Sequence, residues 1–272
     1  MTPPLIARVL FLRLLWLGLL SLPLWAQASR AGSAGDYYNR ANERQKQGDL
    51  DGAAADYGIA LIFNPQLAEA WNNRGVVHYL QKRFDEAIAD CTKALTLQAT
   101  YAEAWNNRGN AKAAKGDAEG ALTDFAEAIR LNPRYATAYH SRGLVRQLKQ
   151  DATGAISDYN RAIELNPRPP SAWYHRGTAQ LMQGQFRAAL TDFDQAIKLN
   201  QNRAEYWAER GITKLLLGKE SEAAQDFAQC LQRNPELKDS LQVRIDRIKA
   251  KNKEQMMTDS TAAAPKNSSK FK

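Results

Sequence analysis

Apolar and small residues recur along most of the chain with the spacing of an amphipathic helix, in pairs of short runs separated by a turn. In residues 68–101 the first run is Trp71, Gly75, Val76, Tyr79 and Leu80, and the second run is Phe84, Ala87, Ile88, Cys91, Ala94 and Leu95. A polar pair that often begins with glycine, such as Gly116 and Asp117, separates the two runs. The pattern predicts two helices of about three turns each.

The same pair of runs occurs six times at an interval of 34 residues. The octapeptide AEAWNNRG, for example, stands at 68–75 and again at 102–109. A single helix pair cannot bury both of its apolar faces, so we expect the pairs to stack on one another. The predicted repeats are 34–67, 68–101, 102–135, 136–169, 170–203 and 204–237.

Each repeat carries an aromatic residue, a small residue four positions later, an alanine, a second aromatic (once a cysteine) and, in four repeats, a closing proline. In the third repeat these are Trp105, Gly109, Ala121, Phe125 and Pro133. This order resembles the tetratricopeptide repeat, whose period is also 34. The resemblance implies an all-α, right-handed superhelical solenoid of six helix-turn-helix repeats. Two positions depart from the family pattern: its leucine is arginine in every repeat, and its next tyrosine is replaced by another polar residue.

The resemblance also implies protein–protein interaction, with the first helices of the repeats lining a concave groove. The candidate groove residues are Tyr38, Asn42, Asn72, Asn73, Tyr79, Asn106, Asn107, Asn110, His140, Leu144, Tyr174 and Leu181. This set is amide-rich in the first three repeats, where asparagine can donate to and accept from an extended backbone. It is apolar towards the last repeats, where the groove is either open or covered by the C-terminal helix. Lysine and arginine are absent from the positions that hold a C-terminal carboxylate in some members, which argues against capture of chaperone tails.

Arginine and aspartate recur in phase with the repeat and flank the predicted contact between its two helices. The members of this Arg–Asp ladder include Arg74, Asp90, Arg108, Asp124, Arg142, Asp158, Arg176, Asp192, Arg210 and Asp226. A charge at such a contact must be paired. We interpret the ladder as internal ion pairs that fix helix register, with a ligand-binding ladder as the alternative. Pairing within or between repeats is open, and Arg244 hints at forward pairing from Asp226.

The first 28 residues differ from the repeats and are typical of a secretory signal peptide. They combine a basic start, an apolar run from Leu14 to Trp25, a helix-breaking Pro23 and small residues before a cut after Ala28. That run is short for a membrane span of about 20 residues. We predict that residues 1–28 are a cleaved signal and that the protein is exported to the periplasm, the exterior or an equivalent lumenal compartment. A retained membrane anchor is the alternative.

Residues 238–257 are predicted to form a C-terminal capping helix that completes the fold. One narrow apolar stripe on this otherwise charged segment consists of Leu237, Leu241, Ile245 and Ile248. Such a helix can cover the last repeat with one face and leave its other faces to water. Residues 258–272 are small, polar and basic without apolar periodicity, and we expect a disordered tail there.

The net positive charge of the chain bears on whether its partner is a nucleic acid or another polyanion. The chain has 37 basic and 29 acidic residues, a formal net charge of +8. The positive residues are spread through the helices, which is typical of a solvated surface, and no nucleic-acid motif accompanies them. We therefore expect no specific nucleic-acid partner. Binding of a polyanion or cell-wall polymer is the alternative function, and such binding would weaken steeply with salt.

No group of residues points to catalysis. Cys91 and Cys230 occupy core positions four repeats apart, beyond the reach of a disulfide. His78, His140 and His175 lack the spacing of metal ligands, and phosphate loops and nucleophile motifs are absent. The predicted segments account for the whole chain, so we expect no enzyme, catalytic residue, metal site or cofactor. We expect a monomeric scaffold, free of the membrane after signal cleavage, that assembles an envelope or lumenal complex by binding a protein or peptide.

Overall fold

The computed structural model describes residues 32–262 of the 272-residue chain. Within that range all the regular elements are helical, which confirms the predicted all-α repeat fold. The predicted signal peptide and the last ten residues of the predicted tail lie outside the described residues. The helices form two compact units, which divide between Ala111 and Lys112 inside one helix.

The first unit contains four complete helices and most of a fifth. They are α1 (Ala34–Gln47), α2 (Leu50–Phe63), α3 (Ala68–Leu80), α4 (Phe84–Leu97) and α5 (Ala102–Lys115). The fully buried Tyr57 of α2 packs with Ala41 of α1. In the next pair a Cβ on Gly75 would lie 2.8 Å from Cys91 Sγ. The small residue of each repeat therefore permits the close approach of the two helices.

The second unit contains the end of α5 and eight further helices. They are α6 (Ala118–Leu131), α7 (Ala136–Leu148), α8 (Ala152–Leu165), α9 (Pro170–Met182), α10 (Phe186–Leu199), α11 (Ala204–Leu216), α12 (Glu220–Arg233) and α13 (Lys238–Ala262). The same repeat position supplies the fully buried rings of Phe125, Tyr159 and Phe193. The second unit is thus built on the same packing rule as the first.

Each helix pair turns at a residue with left-handed backbone conformation. Glycine holds this position in four repeats, as Gly48, Gly116, Gly184 and Gly218. Lys82 and Gln150 hold it in the other two, with φ of 62° and 63°. A Cβ in this conformation approaches the following carbonyl oxygen at a cost of about 1 kcal/mol. The second and fourth repeats therefore carry backbone strain that the others avoid.

The C-terminal helix α13 covers the last repeat with the predicted apolar stripe. Leu241 is 4% exposed and clusters with Ala208, Ile212 and Cys230. The helix continues to Ala262, past the predicted boundary at 257 and into the segment that we predicted to be disordered. The sequence has no proline before 265 that would end the helix earlier.

Candidate functional site

The Arg–Asp ladder forms within repeats. In each pair described below, arginine Nε donates to one carboxylate oxygen and Nη2 to the other, at 2.5 to 3.0 Å. The pairs are Arg40–Asp56, Arg74–Asp90, Arg142–Asp158, Arg176–Asp192 and Arg210–Asp226. Every pair joins the first helix of a repeat to the second helix of the same repeat, which answers the question of pairing.

The forward pair between Asp226 and Arg244 is wrong. Asp226 is bound by Arg210 of its own repeat. Arg244 instead donates from Nη1 and Nη2 to the two carboxylate oxygens of Glu209, at 2.7 and 2.8 Å. Asp226 is thus held by the arginine of its own repeat, and Arg244 pairs with a carboxylate on the first helix of the preceding repeat.

Each ladder arginine also lies over the aromatic ring three positions before it. The guanidinium carbon of Arg74, for example, is 4.7 Å from the ring centroid of Trp71. The indole Nε1 of Trp71 in turn donates to the backbone oxygen of Pro65 at 2.9 Å. Loop, ring, guanidinium and carboxylate are thus connected, an arrangement that suits a structural role.

The second departure from the family pattern supplies another cation to the buried aspartate. Arg146 Nη1 lies 2.8 Å from Asp158, and Lys214 Nζ lies 2.8 Å from Asp226. Similar second contacts in the first and third repeats come from Arg44 and Lys112. This second set of cations was not predicted from the sequence, although the polar residue at the position of the pattern's tyrosine was its signal.

Two repeats modify the arrangement. His78 Nδ1 lies 3.1 Å from Asp90 Oδ2 without forming a regular hydrogen bond. Burial raises the pKa of Asp90, but the hydrogen bonds from Arg74 and the close approach of His78 outweigh it and the pKa is lowered on balance. In the fifth repeat the residue is the neutral Gln180, whose buried Oε1 has no hydrogen-bond partner among the described residues.

The predicted groove amides of the first unit bind one another. Asn107 Nδ2 donates to Asn72 Oδ1 at 2.9 Å, and Asn72 Nδ2 donates to Asn73 Oδ1 at 3.1 Å. Asn73 Nδ2 continues the chain to Asn42 Oδ1 at 3.3 Å and to the Tyr38 hydroxyl at 3.1 Å. This chain of side-chain amides crosses the first helices of three repeats.

The structure therefore corrects the expected role of two asparagines. Asn72 and Asn106 are only 4% and 1% exposed, so a partner's backbone does not reach them. The Asn72 amide bonds to Asn107 on the adjacent first helix. Asn106 Nδ2 donates to Asn107 Oδ1 of its own helix at 3.4 Å, and its buried Oδ1 has no hydrogen-bond partner among the described residues. The predicted residues of this unit that keep accessible surface include Tyr79, which is 37% exposed, and the partly buried Asn110.

In the second unit the groove positions of the fourth and fifth repeats carry an aromatic cluster. The His140 ring lies 5.4 Å from His175 and 5.8 Å from Tyr159, and Tyr174 lies 4.9 Å from Tyr206. Burial lowers the pKa of His140. Burial, followed by the charge of His140, lowers the pKa of His175 to about 4. Burial also raises the pKa of Tyr174 to about 12, so these rings are neutral near pH 7.

The capping helix covers the groove positions of the sixth repeat. Ala208 and Ile212 are 6% and 3% exposed and cluster with Leu241 of α13, and the partly buried Leu181 packs against the same cluster. Of the two possibilities for the apolar end, cover by the C-terminal helix therefore applies to the sixth repeat. Leu144 of the fourth repeat is partly buried and packs on a different cluster.

A pocket of about 180 Å³ lies between the fourth and fifth repeats of the second unit. We call it the His140 pocket, and its walls are Ala136, His140, Ala162, Pro169, Ser171 and Ala172. Thr137 and Asn166 also line it and are exposed, which places them at its mouth. Among the described residues, His140 Nε2 is buried and has no hydrogen-bond partner.

Other chemistry is sparse in residues 32–262. Cys91 and Cys230 are buried and form no disulfide in this range, and burial raises the pKa of the Cys230 thiol. Over this range no three His, Cys, Asp or Glu side chains are grouped as a metal site would require. None of the helices described combines the length and apolar character that a bilayer crossing needs.

Family comparisons agree with the geometry. A model of the tetratricopeptide repeat matches residues 68–101 and 170–203, and a model described as TPR repeat matches 41–82, 109–150 and 148–184. Together these matches cover more than half of the chain. No curated protein matches it in sequence.

Solved structures share the fold. The MamA protein is 27% identical over 64% of this chain and 94% of its own, with a TM-score of 0.53. PilW, a widely conserved type IV pilus biogenesis factor, is 22% identical over 77% of this chain and 97% of its own, with a TM-score of 0.69. YrrB, a TPR protein with an unusual peptide-binding site, is 21% identical over 66% and 92%, with a TM-score of 0.55.

Proposed function

Because this chain belongs to the tetratricopeptide repeat family, we propose that it is an exported scaffold that binds a protein or peptide partner through its first helices. The proposed setting is the assembly of an envelope or lumenal complex. The partner-binding surface is the set of first-helix residues that neither the amide chain nor the capping helix occupies.

The observation that carries the proposal is the exposure of large apolar side chains at the ends of first helices. Leu148, the last residue of α7, is 83% exposed, and Met182, the last residue of α9, is 52% exposed. The two hold the same repeat position, and Gln147 Nε2 lies 3.9 Å from Met182 Sδ, so the two helix ends are adjacent. Leu80 ends α3 at the same repeat position and is also exposed. Contiguous exposed apolar surface is a mark of interaction sites.

The proposed export rests on the secretory pattern of residues 1–28. PilW and YrrB are a biogenesis factor and a peptide-binding protein, respectively. Their likeness to this chain is one of fold, and we extend to this chain only the general role of a binding scaffold. N-terminal sequencing of the protein recovered from the source organism is expected to give Ser29 as the first residue. A start at Met1 would contradict cleavage.

The alternative of polyanion binding cannot use the ladder arginines, because they are paired inside the protein, although this pairing leaves the formal net charge of +8 unchanged. The side chains of Arg142, Arg176 and Arg210 are 18%, 18% and 17% exposed, and each is neutralised by an aspartate. These guanidinium groups are therefore not available to a polymer of negative charge.

Affinity capture with a matched pair of variants tests the proposal. The full chain is used to capture proteins from the envelope fraction of the source organism, and the bound proteins are quantified by mass spectrometry. Leu148→Glu combined with Met182→Glu is expected to remove specific partners. Leu199→Glu, at a residue of a second helix that is 39% exposed, is the control and is expected to retain them. Equal capture by both variants would contradict the proposed surface, and capture that depends on salt alone would favour the polyanion.

A further inference from the structure

The His140 pocket has an occupied counterpart in the first unit. There, Tyr101 packs against the cluster formed by Ala94, Leu95 and Ala104. Asn72 Nδ2 donates to the Tyr101 hydroxyl at 3.4 Å. A tyrosine side chain thus lies against a cluster that includes two alanines, with its hydroxyl at the polar side chain of a first helix.

The residues equivalent to Ala94, Ala104 and Asn72 occur again two repeats later, but the tyrosine does not. Ala162 and Ala172, two walls of the pocket, hold the repeat positions of Ala94 and Ala104. His140 holds the repeat position of Asn72. The position of Tyr101 itself is held by Pro169, whose ring is too short to fill the same space. The pocket therefore has the walls of a tyrosine site and lacks its tyrosine.

We propose that the His140 pocket receives a tyrosine side chain of the partner, whose phenol ring lies between Ala162 and Ala172 and whose hydroxyl hydrogen-bonds to His140. This inference rests on the proposed function, because it assigns one contact of the partner on the first-helix surface. The occupant is a neutral aromatic hydroxyl group supplied in trans, in the place that Tyr101 occupies in cis.

Size and hydrogen bonding favour this occupant. The pocket volume of about 180 Å³ exceeds the roughly 150 Å³ of a cavity that admits benzene. His140 Nε2 is buried without a partner, which is unfavourable until a hydrogen bond satisfies it. A hydroxyl can donate to or accept from an imidazole nitrogen, so it fits either tautomer of His140, whereas an indole N–H only donates. Because Nε2 has no open surface in the structure, we expect the imidazole ring to rotate when the hydroxyl binds.

The mouth of the pocket also suits an uncharged group. Thr137 at the mouth and Ser171 in the wall both hold a repeat position that is glutamate in three other repeats, at Glu69, Glu103 and Glu205. The position of Pro169 carries a larger side chain at the other junctions, namely Leu67, Tyr101, Tyr135 and Arg203. This combination of residues distinguishes the junction between the fourth and fifth repeats from the other junctions between repeats.

Binding of p-cresol, the side chain of tyrosine, to the full chain tests the proposal. With only three histidines in the sequence, ring-labelled histidine gives an NMR spectrum in which His140→Phe identifies the His140 signal. We expect p-cresol to shift the His140 signal and leave that of His78 in place. His140→Phe is expected to weaken p-cresol binding about fivefold, as loss of one hydrogen bond would, with little effect on toluene.

Substitution at Pro169 supplies matched controls. Pro169→Tyr places the side chain of the Tyr101 position in the pocket and is expected to abolish p-cresol binding while keeping the fold, as judged by an unchanged circular dichroism spectrum and urea unfolding midpoint. Pro169→Ala leaves the pocket open and is expected to retain binding. Retained binding in Pro169→Tyr, or no shift of His140 with p-cresol in the parent chain, would overturn the proposal.

Short peptides separate this inference from the proposed function. Pentapeptides of alanine with a central tyrosine, phenylalanine or alanine are compared by the same NMR titration. A preference for tyrosine that Pro169→Tyr removes supports the inference. Equal binding of all three peptides would overturn it while leaving peptide binding intact. Binding of p-cresol at His140 without binding of any peptide would keep the phenol site but argue against a tyrosine from a protein partner.

Discussion

Arg142 binds Asp158 through two parallel hydrogen bonds, 3.0 Å from Nε to Oδ2 and 2.7 Å from Nη2 to Oδ1. Arg146 adds a third from Nη1 to Oδ2 at 2.8 Å. The aspartate is 2% exposed, so two cations on α7 neutralise one buried carboxylate on α8. A bidentate pair restricts geometry more than a single contact does. It therefore fixes the register of the two helices.

Removal of the Asp158 carboxylate is expected to destabilise the protein. Asp158→Ala removes the carboxylate that pairs with Arg142 and leaves Arg146 only Asp151, at 3.8 Å. The free energy of unfolding should fall by about 2–4 kcal/mol, less than for fully buried charges. Urea unfolding measures this change. Asp192→Ala should lower the free energy of unfolding by less, because among the described residues Asp192 pairs with Arg176 alone and the neutral Gln180 holds the repeat position of Arg146. An unchanged stability with lost partner binding would instead make the ladder a ligand site.

A second cation in the fifth repeat is expected to stabilise the protein. Gln180 is 8% exposed, and its Oε1 has no hydrogen-bond partner among the described residues. Gln180→Arg should reproduce the contact of Arg146 with Asp158 and raise the free energy of unfolding by about 1 kcal/mol. The reverse change, Lys214→Gln in the sixth repeat, should lower it by a similar amount. A destabilised Gln180→Arg protein would show that the fifth repeat lacks room for the second cation.

Relief of strain at two turns is expected to raise the melting temperature. Lys82 and Gln150 have φ of 62° and 63°, in the region where glycine has no steric penalty. Lys82→Gly and Gln150→Gly should each raise the free energy of unfolding by about 0.5–1 kcal/mol, after the greater entropy of glycine in the unfolded chain is subtracted. Gly184→Ala is the opposite change and should lower the melting temperature. No gain from either glycine would mean that side-chain contacts of Lys82 and Gln150 offset the strain.

Acid is expected to weaken the second unit through His175. Burial, and then His140, lower its pKa to about 4, whereas an unfolded histidine titrates near about 6.5. Between these pH values the unfolded state binds more protons, so the free energy of unfolding falls as the pH is lowered, by roughly 2–3 kcal/mol in total. His175→Phe should flatten this part of the profile, measured by urea unfolding between pH 7 and pH 4. An equally steep profile in the variant would assign the dependence to other groups.

The sequence by itself determined the repeating helix pairs, because hydrophobic spacing and turn residues act over a few neighbouring positions. Trp71, Gly75 and Cys91 fall on helical faces that any stacked pair must bury. The 34-residue period then required each pair to resemble the next. The same period placed an arginine and an aspartate beside every helix contact, and it aligned the apolar stripe of α13 with the sixth repeat.

Only the tertiary structure decided which polar groups meet. Periodicity gives the face on which a side chain lies. Whether two side chains hydrogen-bond depends on differences of a few tenths of an ångström in the distance between donor and acceptor, which the packing of the helices sets. Asn72 lies on the predicted face of its helix, yet its side chain is buried and accepts a hydrogen bond from the amide of Asn107. Arg244 keeps the phase of the ladder but binds Glu209, while Asp226 is bound by Arg210 of its own repeat. The His140 pocket likewise lies where Pro169 holds the repeat position of Tyr101, and the repeat pattern alone does not show that a space is open there.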